Sequence, residues 1–136
     1  MLKGVLADAN IVGHVDLVMA VVCAAGWIDL WDELAIRYAS FQDVGLDATA
    51  TDAAIWQLCQ REQYVLVTSN RNEDDPDSLE STIRSQSTAE SLPVLTIADP
   101  ERLRYSREYV QRVAESLLAA LIDIDFLRGA GRLYLP

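Results

Sequence analysis

The chain has 136 residues, of which 51% are hydrophobic, so it can bury one core but is short for two domains. Its 21 acidic and 11 basic residues give a formal net charge of −10, which argues against broad, non-specific binding to nucleic acids. The longest apolar stretch is interrupted by Asp16 and Gly26 and is too short to span a bilayer. We therefore expect residues 1–136 to form a single domain in the cytoplasm.

The first third of the chain predicts a strand, a helix and a second strand. Gly4–Ala7 is a short apolar run, typical of a buried parallel strand. Residues 16–25 are apolar and are followed by glycine, which predicts a buried helix. Residues 27–31 alternate and are rich in strand formers, so they predict the second strand. The pattern is weak over residues 34–38, which favour one or two helical turns, and residues 42–47 favour a loop.

The middle of the chain holds the clearest helix–strand pair. Thr51 or Asp52 caps a helix that runs to Gln63, and the apolar run Tyr64–Thr68 follows it as a strand. Residues 69–77 hold asparagines, acids and a proline, a composition that favours an exposed loop directly after a buried strand.

The last part of the chain continues the alternation. Asp77 or Ser78 caps a short helix to about Gln86, and residues 92–97 predict a strand. A proline between two acids at residues 99–101 is a typical helix start.

Helical spacing of apolar residues continues from there to Gly129, and Arg132–Leu135 predicts an edge strand. Strands that alternate with helices predict a three-layer α/β/α fold with a mostly parallel sheet.

Carboxylates and amides follow two of the predicted strands. Asp8 and Asn10 come after the first strand, and the polar residues 70–75 come after Tyr64–Thr68. Asp52 joins them if its helix starts at the same sheet edge. Ligands bind outside the carboxyl ends of parallel strands, and hard cations such as Mg²⁺ or Mn²⁺ take oxygen ligands. The alternative is that these acids are helix caps and a solvated turn.

Other kinds of site have weaker support. No glycine-rich phosphate loop follows a strand, and Lys3, the only lysine, does not suit a phosphoacceptor receiver domain. The only histidine, His14, has no evident nucleophilic partner, which favours a polar cap or a surface role over catalysis. Cys23 and Cys59 lie in apolar contexts without metal-ligand spacing, so both are expected to be small core residues.

Four arginines fall within one stretch of the C-terminal half, interspersed with three glutamates. Arginine suits bidentate contacts with phosphate, so the stretch is a candidate phosphate tether. We favour a solvated helix face on which the arginines pair with the glutamates. The residues are Arg102, Arg104, Arg107 and Arg112, with Glu101, Glu108 and Glu115.

Three segments resemble the short PIN-like proteins. Residues 6–11 read Leu-Ala-Asp-Ala-Asn-Ile, and those proteins typically open with Leu-Ala-Asp-Glu-Asn. Residues 51–55 and 63–70 are similar to their Asp-x-x-Ile helix and to the Val-Leu-Val-Thr-x-Asp strand that follows it. The resemblance covers residues 6–73, with the motifs in the family's order.

The resemblance implies a PIN-like domain and a Mg²⁺- or Mn²⁺-dependent ribonuclease, because PIN-domain proteins are metal-dependent ribonucleases and many are toxins of bacterial toxin–antitoxin pairs. It implies Asp8 as the first metal ligand, Asp52 as the third acid and Asn70 at the position of the fourth, all three being catalytic. Asp74 is a further candidate metal ligand. The implied partners are single-stranded RNA and a small antitoxin protein, and a homodimer stays open.

The chain departs from the family pattern in two ways. Asn70 and Asn72 stand where short PIN-like relatives often carry aspartate, and losing a negative charge weakens cation binding. The second family acid is not assigned, and the candidates are Glu33, Asp43 and Asp47. A catalytically degenerate PIN-like binding or regulatory module is therefore the alternative function.

Overall fold

In the described part of the chain, five strands form one sheet in which every neighbouring pair is parallel. The computed structural model describes residues 1–71 and 78–136. The sheet order is β2-β1-β3-β4-β5. The strands are β1 (Gly4–Ala7), β2 (Arg37–Ala39), β3 (Tyr64–Thr68), β4 (Val94–Ile97) and β5 (Arg132–Leu135).

Helices cover both faces of this sheet, which confirms the predicted three-layer α/β/α fold. One face packs against the first two helices and the C-terminal pair, and the other packs against the two middle helices. Short 3-10 helices at Ala9–Ile11, Gln42–Val44 and Pro100–Arg104 lie in the connections. The α-helices are α1 (Val12–Val22), α2 (Ile28–Leu34), α3 (Asp52–Glu62), α4 (Leu79–Gln86), α5 (Arg107–Ile122) and α6 (Ile124–Leu127).

The unit α3–β3 forms as the sequence predicts. The Thr51 side chain accepts a 3.1 Å hydrogen bond from the backbone N–H of Ala54, so threonine is the cap of α3. Gln63 ends the helix in the left-handed region at φ 61°, and β3 follows at once. This short turn fixes where the start of α3 and the end of β3 lie relative to the sheet.

The predicted strand at residues 27–31 is wrong, because this segment enters helix α2. Trp31 is buried, Trp27 and Leu34 pack against the same core, and Leu30 is exposed. Trp27, Trp31 and Leu34 are spaced by four and three residues, which places them on one helical face. A strand would instead have buried every second residue.

The segment 34–38 is not one or two helical turns, as the sequence favoured. The helix α2 ends there, Ala35 adopts a left-handed φ of 53°, and β2 begins at Arg37. The first helix also begins earlier than predicted, at Val12, and ends at Val22.

The long C-terminal helix is divided into three pieces. A 3-10 helix, Pro100–Arg104, is followed by α5, which Ser106 caps by accepting a 3.1 Å hydrogen bond from the Tyr109 N–H. A break at Asp123 separates α5 from α6. The predicted cap at Ser78 and the predicted edge strand Arg132–Leu135 are confirmed.

The two cysteines differ from each other. Cys59 is buried, as predicted, whereas the expectation for Cys23 is wrong, since it is exposed where α1 ends. Burial, and then the negative charge of Asp8, raise the pKa of the Cys59 thiol to about 12. Among the helices formed by residues 1–71 and 78–136, none is long and apolar enough to cross a membrane.

Candidate functional site

The strand order places a topological switch point at the carboxyl ends of β1 and β3, a position that we call the β1–β3 crevice. The chain leaves β1 towards β2 on one side and later returns to β3 on the other side. In open parallel sheets such a switch point is where ligands bind. Asp8 directly follows β1, and Thr68 is the last residue of β3, so both lie at this crevice.

Asp8 is a buried carboxylate that a strand side chain holds in place. It is 9% exposed, and its Oδ2 accepts a 2.6 Å hydrogen bond from Thr68 Oγ1. In the described part of the chain no lysine, arginine or histidine forms an ion pair with it. A buried charge without a counter-ion is unfavourable, so this position favours a cation.

Asp52 connects three segments of the chain. Its Oδ2 accepts one 3.0 Å hydrogen bond from Asn70 Nδ2 and another from the backbone N–H of Leu79. Asp52, the first residue of α3, thus accepts one hydrogen bond from the start of α4 and one from the segment that follows β3. Asp52 therefore does not cap its own helix, which is the role of Thr51.

Asn70 completes a continuous hydrogen-bond chain between the two acids. Its backbone N–H donates to Thr68 Oγ1 over 3.0 Å, and the same hydroxyl donates to Asp8. The amide group of Asn70 then donates to Asp52. The structure therefore brings together Asp8, Asp52 and Asn70, the residues that the sequence singled out.

The three candidates for a second acid do not join this chain of hydrogen bonds. Asp43 accepts from Ser40, through its N–H at 2.8 Å and its hydroxyl at 3.1 Å, and Asp47 accepts from Thr49 in the same manner. These local hydrogen bonds hold the pKa of both carboxyls below their usual value. Glu33 is exposed on α2, before β2 begins.

The rest of the acid-rich loop, including Asn72, Glu73, Asp74 and Asp75, lies outside the described residues. Within residues 1–71 and 78–136 there is no group of three or more His, Cys, Asp and Glu side chains placed to hold a metal ion. Asn10 is exposed in the 3-10 helix after Asp8.

The donor set fits a hard divalent cation in its chemistry. Asp8 and Asp52 present carboxylate oxygens, and each uses only Oδ2 in the hydrogen bonds described above. Mg²⁺ is bound by one or two carboxylates and keeps several waters, so two acids at an open strand edge are sufficient protein ligands. Nitrogen and sulfur ligands, which softer metals prefer, are not part of this set.

A second polar group, which the sequence did not predict, lies at the same sheet edge. Arg132 Nη1 donates to the Asn70 carbonyl over 2.7 Å and to Thr96 Oγ1 over 2.6 Å. Its Nε donates to Glu80 Oε2 at 3.0 Å, and Nη2 lies 3.0 Å from the same oxygen without hydrogen-bond geometry. Arg132 thereby fixes the loop that carries Asn70. Its position in a predicted edge strand next to Thr96 of the preceding strand was the available signal.

His14 lies outside this site, and it has neither of its two predicted roles, since it is buried rather than on the surface and makes no capping hydrogen bond at the start of α1. It is 9% exposed, and its Nε2 accepts a 3.0 Å hydrogen bond from Arg104 Nε. The Glu101 carboxylate lies 3.3 Å from the same nitrogen. One imidazole nitrogen cannot accept from the first and donate to the second at once, so these contacts are alternatives.

Protein-family models, curated proteins and solved structures were compared with this chain, and none of them matches it.

Proposed function

We propose that this chain is a metal-dependent ribonuclease of PIN-like type that hydrolyses single-stranded RNA with Mg²⁺ or Mn²⁺. The observation that carries the proposal is the buried Asp8 carboxylate, which has no protein counter-ion in the described residues and is linked by hydrogen bonds to Asp52. Two carboxylates at the switch point of a parallel sheet are suited to a cation and to the phosphate that it binds.

Each residue of the crevice has a separate role in this proposal. Asp8 and Asp52 hold the ion, and Asn70 orients Asp52 by donating to it. Thr68 fixes the Asp8 carboxylate through its 2.6 Å hydrogen bond. A bound Mg²⁺ or Mn²⁺ supplies charge stabilisation at the phosphoryl group and lowers the pKa of a coordinated water.

The overall charge shapes the substrate range. A net charge of −10 repels RNA at long range, so attraction must come from local cations. Cleavage is therefore expected to be selective, and any contribution from arginines should weaken as salt rises.

The biological setting is proposed on the resemblance to toxin-type PIN proteins alone. In that setting the chain acts in the cytoplasm and is neutralised by a small antitoxin protein. Growth arrest on expression in a bacterial host, abolished by Asp8→Asn, is the expected result. Unimpeded growth with the wild type would remove the toxin part of the proposal.

The central experiment measures cleavage of several labelled single-stranded RNAs with Mn²⁺ and with chelator. We expect cleavage by the wild type, none with chelator, and none with Asp8→Asn or Asp52→Asn. Asp125→Asn is the matched control, because that acid is 81% exposed and lies on α6, away from the crevice. This control should keep full activity.

Asn70→Asp separates the enzyme from the alternative, a degenerate binding or regulatory module. A weakened enzyme gains activity when the negative charge is restored, since carboxylate strengthens cation binding. A binding module does not change. Failure of both the wild type and Asn70→Asp to cleave any of the RNAs with Mn²⁺ would favour the module.

A further inference from the structure

A groove of about 500 Å³ lies where α1 packs against α5 and the 3-10 helix Pro100–Arg104. Its floor is apolar and includes Leu17 and Val21 of α1 and Val110 of α5. Its rim carries the cationic side chains of Arg104 and Arg107. An apolar floor beside positive charge is suited to a ligand that has both a flat apolar part and an anionic part.

Tyr105 also lines this groove and stands out by its exposure. It is 78% exposed, and only its backbone N–H forms a hydrogen bond within the described residues, to the Arg102 carbonyl, so its phenol ring and hydroxyl have no polar partner there. Aromatic rings in such positions are the usual platforms on which unpaired bases stack. Because little of the ring is buried, packing of the core does not explain an aromatic residue here.

The arginines of this stretch are less neutralised than the sequence predicted. Arg104 lies 3.7 Å from Glu101, whereas Arg107 and Arg112 form no ion pair within residues 1–71 and 78–136. Arg102 lies over the ring of Tyr109, 4.9 Å from its centre. Among the described contacts, the predicted pairing is confirmed for Arg104 with Glu101 and is wrong for Arg107 and Arg112, so Arg107 remains available to an anion.

The groove continues towards the carboxyl edge of the sheet. A second cavity of about 390 Å³ is lined by Gly13, His14, Leu17 and Arg104, and the last two also line the first groove. Gly13 lies in the first turn of α1, five residues after Asp8. The 3-10 helix that carries Arg104 likewise follows the carboxyl end of β4. Both walls of the groove therefore start at the sheet edge where Asp8 lies.

We propose that this groove binds an unpaired nucleotide of the single-stranded RNA substrate, outside the cleavage site. The base stacks on Tyr105, and Arg104 and Arg107 contact the adjoining phosphate. This inference rests on the proposed ribonuclease function and gives it a positively charged substrate subsite. It accounts for how a chain of net charge −10 holds a polyanion near Asp8.

The test measures RNA binding separately from cleavage. A short fluorescein-labelled single-stranded RNA is titrated with protein in chelator, and binding is followed by fluorescence anisotropy. We expect Tyr105→Ala to weaken binding by about 5- to 150-fold, the range for loss of one stacked base. Arg107→Ala should weaken binding and reduce the slope of log K against log salt by about one.

The matched controls remove an exposed aromatic residue and an exposed arginine from elsewhere on the molecule. Phe126 is 90% exposed on α6, and the Arg61 side chain is 67% exposed at the end of α3. Phe126→Ala and Arg61→Ala should bind RNA as the wild type does. Circular dichroism of all four variants should match the wild type, because none of the four side chains is buried.

The outcomes for the groove and for catalysis are distinguishable. Asp8→Asn should bind RNA in chelator like the wild type while failing to cleave it with Mn²⁺. Binding that depends on Tyr105, without cleavage by any variant, would keep the groove and remove the ribonuclease. Wild-type protein that does not bind the RNA, or Tyr105→Ala that binds it equally well, would overturn the groove. Occupation by a partner protein would then be the better explanation of its exposed ring.

Discussion

Two threonines lie side by side at the carboxyl edge of the sheet and have partners of opposite charge. Thr68 of β3 and Thr96 of β4 are paired in the strand register, and both are completely buried. Thr68 Oγ1 donates to the Asp8 carboxylate, whereas Thr96 Oγ1 accepts from the Arg132 guanidinium, each over 2.6 Å. The same residue type at neighbouring positions of the sheet thus supports an anion at the β1–β3 crevice and a cation between β4 and β5.

The difference lies in how each charge is balanced. Arg132 of β5 lies 3.0 Å from the carboxylate of Glu80 in α4, so the charge of Arg132 is neutralised within the protein. Asp8 has no such partner in the described residues. We infer that the group formed by Arg132, Glu80 and Thr96, here called the β4–β5 corner, is structural, and the proposed cation is expected at Asp8 in the β1–β3 crevice.

The largest expected effect on stability is that of Arg132→Met. The substitution leaves Glu80, Thr96 and the Asn70 carbonyl without their donor. Removing one partner of a buried ion pair costs about 3–5 kcal/mol, and we expect about 2–3 kcal/mol because the Glu80 side chain is still 23% exposed. Urea unfolding measures this, with Arg61→Met as the control. A loss below about 0.5 kcal/mol would show that the corner is not structural.

Manganese should stabilise the wild type through the β1–β3 crevice. At a concentration of about 100 times Kd, a ligand that binds only the native state adds about 2.7 kcal/mol. Asp8→Asn should lose most of the resulting rise in melting temperature, and Glu80→Gln should keep it. Equal rises in the wild type and in Asp8→Asn would mean that the ion binds elsewhere. The β1–β3 crevice would then not differ from the β4–β5 corner in binding a cation.

The two threonines can be compared directly through Thr68→Val and Thr96→Val. We expect Thr68→Val to cost about 1–3 kcal/mol, since it removes the donor to the buried Asp8 carboxylate and the hydroxyl that accepts from the Asn70 N–H. Thr96→Val should cost about 1 kcal/mol, because Arg132 keeps two other acceptors. Only Thr68→Val should weaken Mn²⁺ binding, which a calorimetric titration measures. Equal weakening by both would contradict the separation.

The smallest expected effect concerns the thiols and leaves stability unchanged. The pKa of Cys59 is raised to about 12, so at pH 8 it stays neutral and unreactive, as thiolate is the nucleophile. Cys23 is exposed, although burial and Asp32 also raise its pKa. A thiol reagent should label one cysteine per native chain and two after unfolding. Labelling of both cysteines in the native protein at the same rate would show that the core around Cys59 is open to solvent.

Local patterns were sufficient for some elements and insufficient for others. β1, β3 and α3 were predictable because buried strands give continuous apolar runs and Thr51 is a good cap. Residues 27–31 were mistaken for a strand, because Trp27, Ile28 and Trp31 are strand formers by type. Only packing on the core shows that their spacing is helical.

The candidate site was predictable where its residues follow strands and unpredictable where tertiary contacts determine it. Asp8 and Asn70 come directly after apolar runs, so their meeting follows from parallel topology. The position of Arg132 beside Asn70 depends on the pairing of β5 with β4. The sequence predicted β5 as an edge strand but did not identify the strand that it pairs with. The ion pairing of Arg104 and Arg107 likewise depended on which glutamates come within reach in the folded protein.

Every neighbouring pair of strands in this sheet is parallel, so the contacts between strands join distant parts of the chain. This arrangement affects how fast the protein folds. Asp8 and Thr68 are 60 positions apart in the chain, and Arg132 and Asn70 are 62 apart. Both contacts close long loops, and proteins rich in such contacts fold more slowly than helical bundles of similar size. Recovery of Mn²⁺ binding after dilution from urea should therefore follow global refolding as a single slow phase, later than the first helical signal.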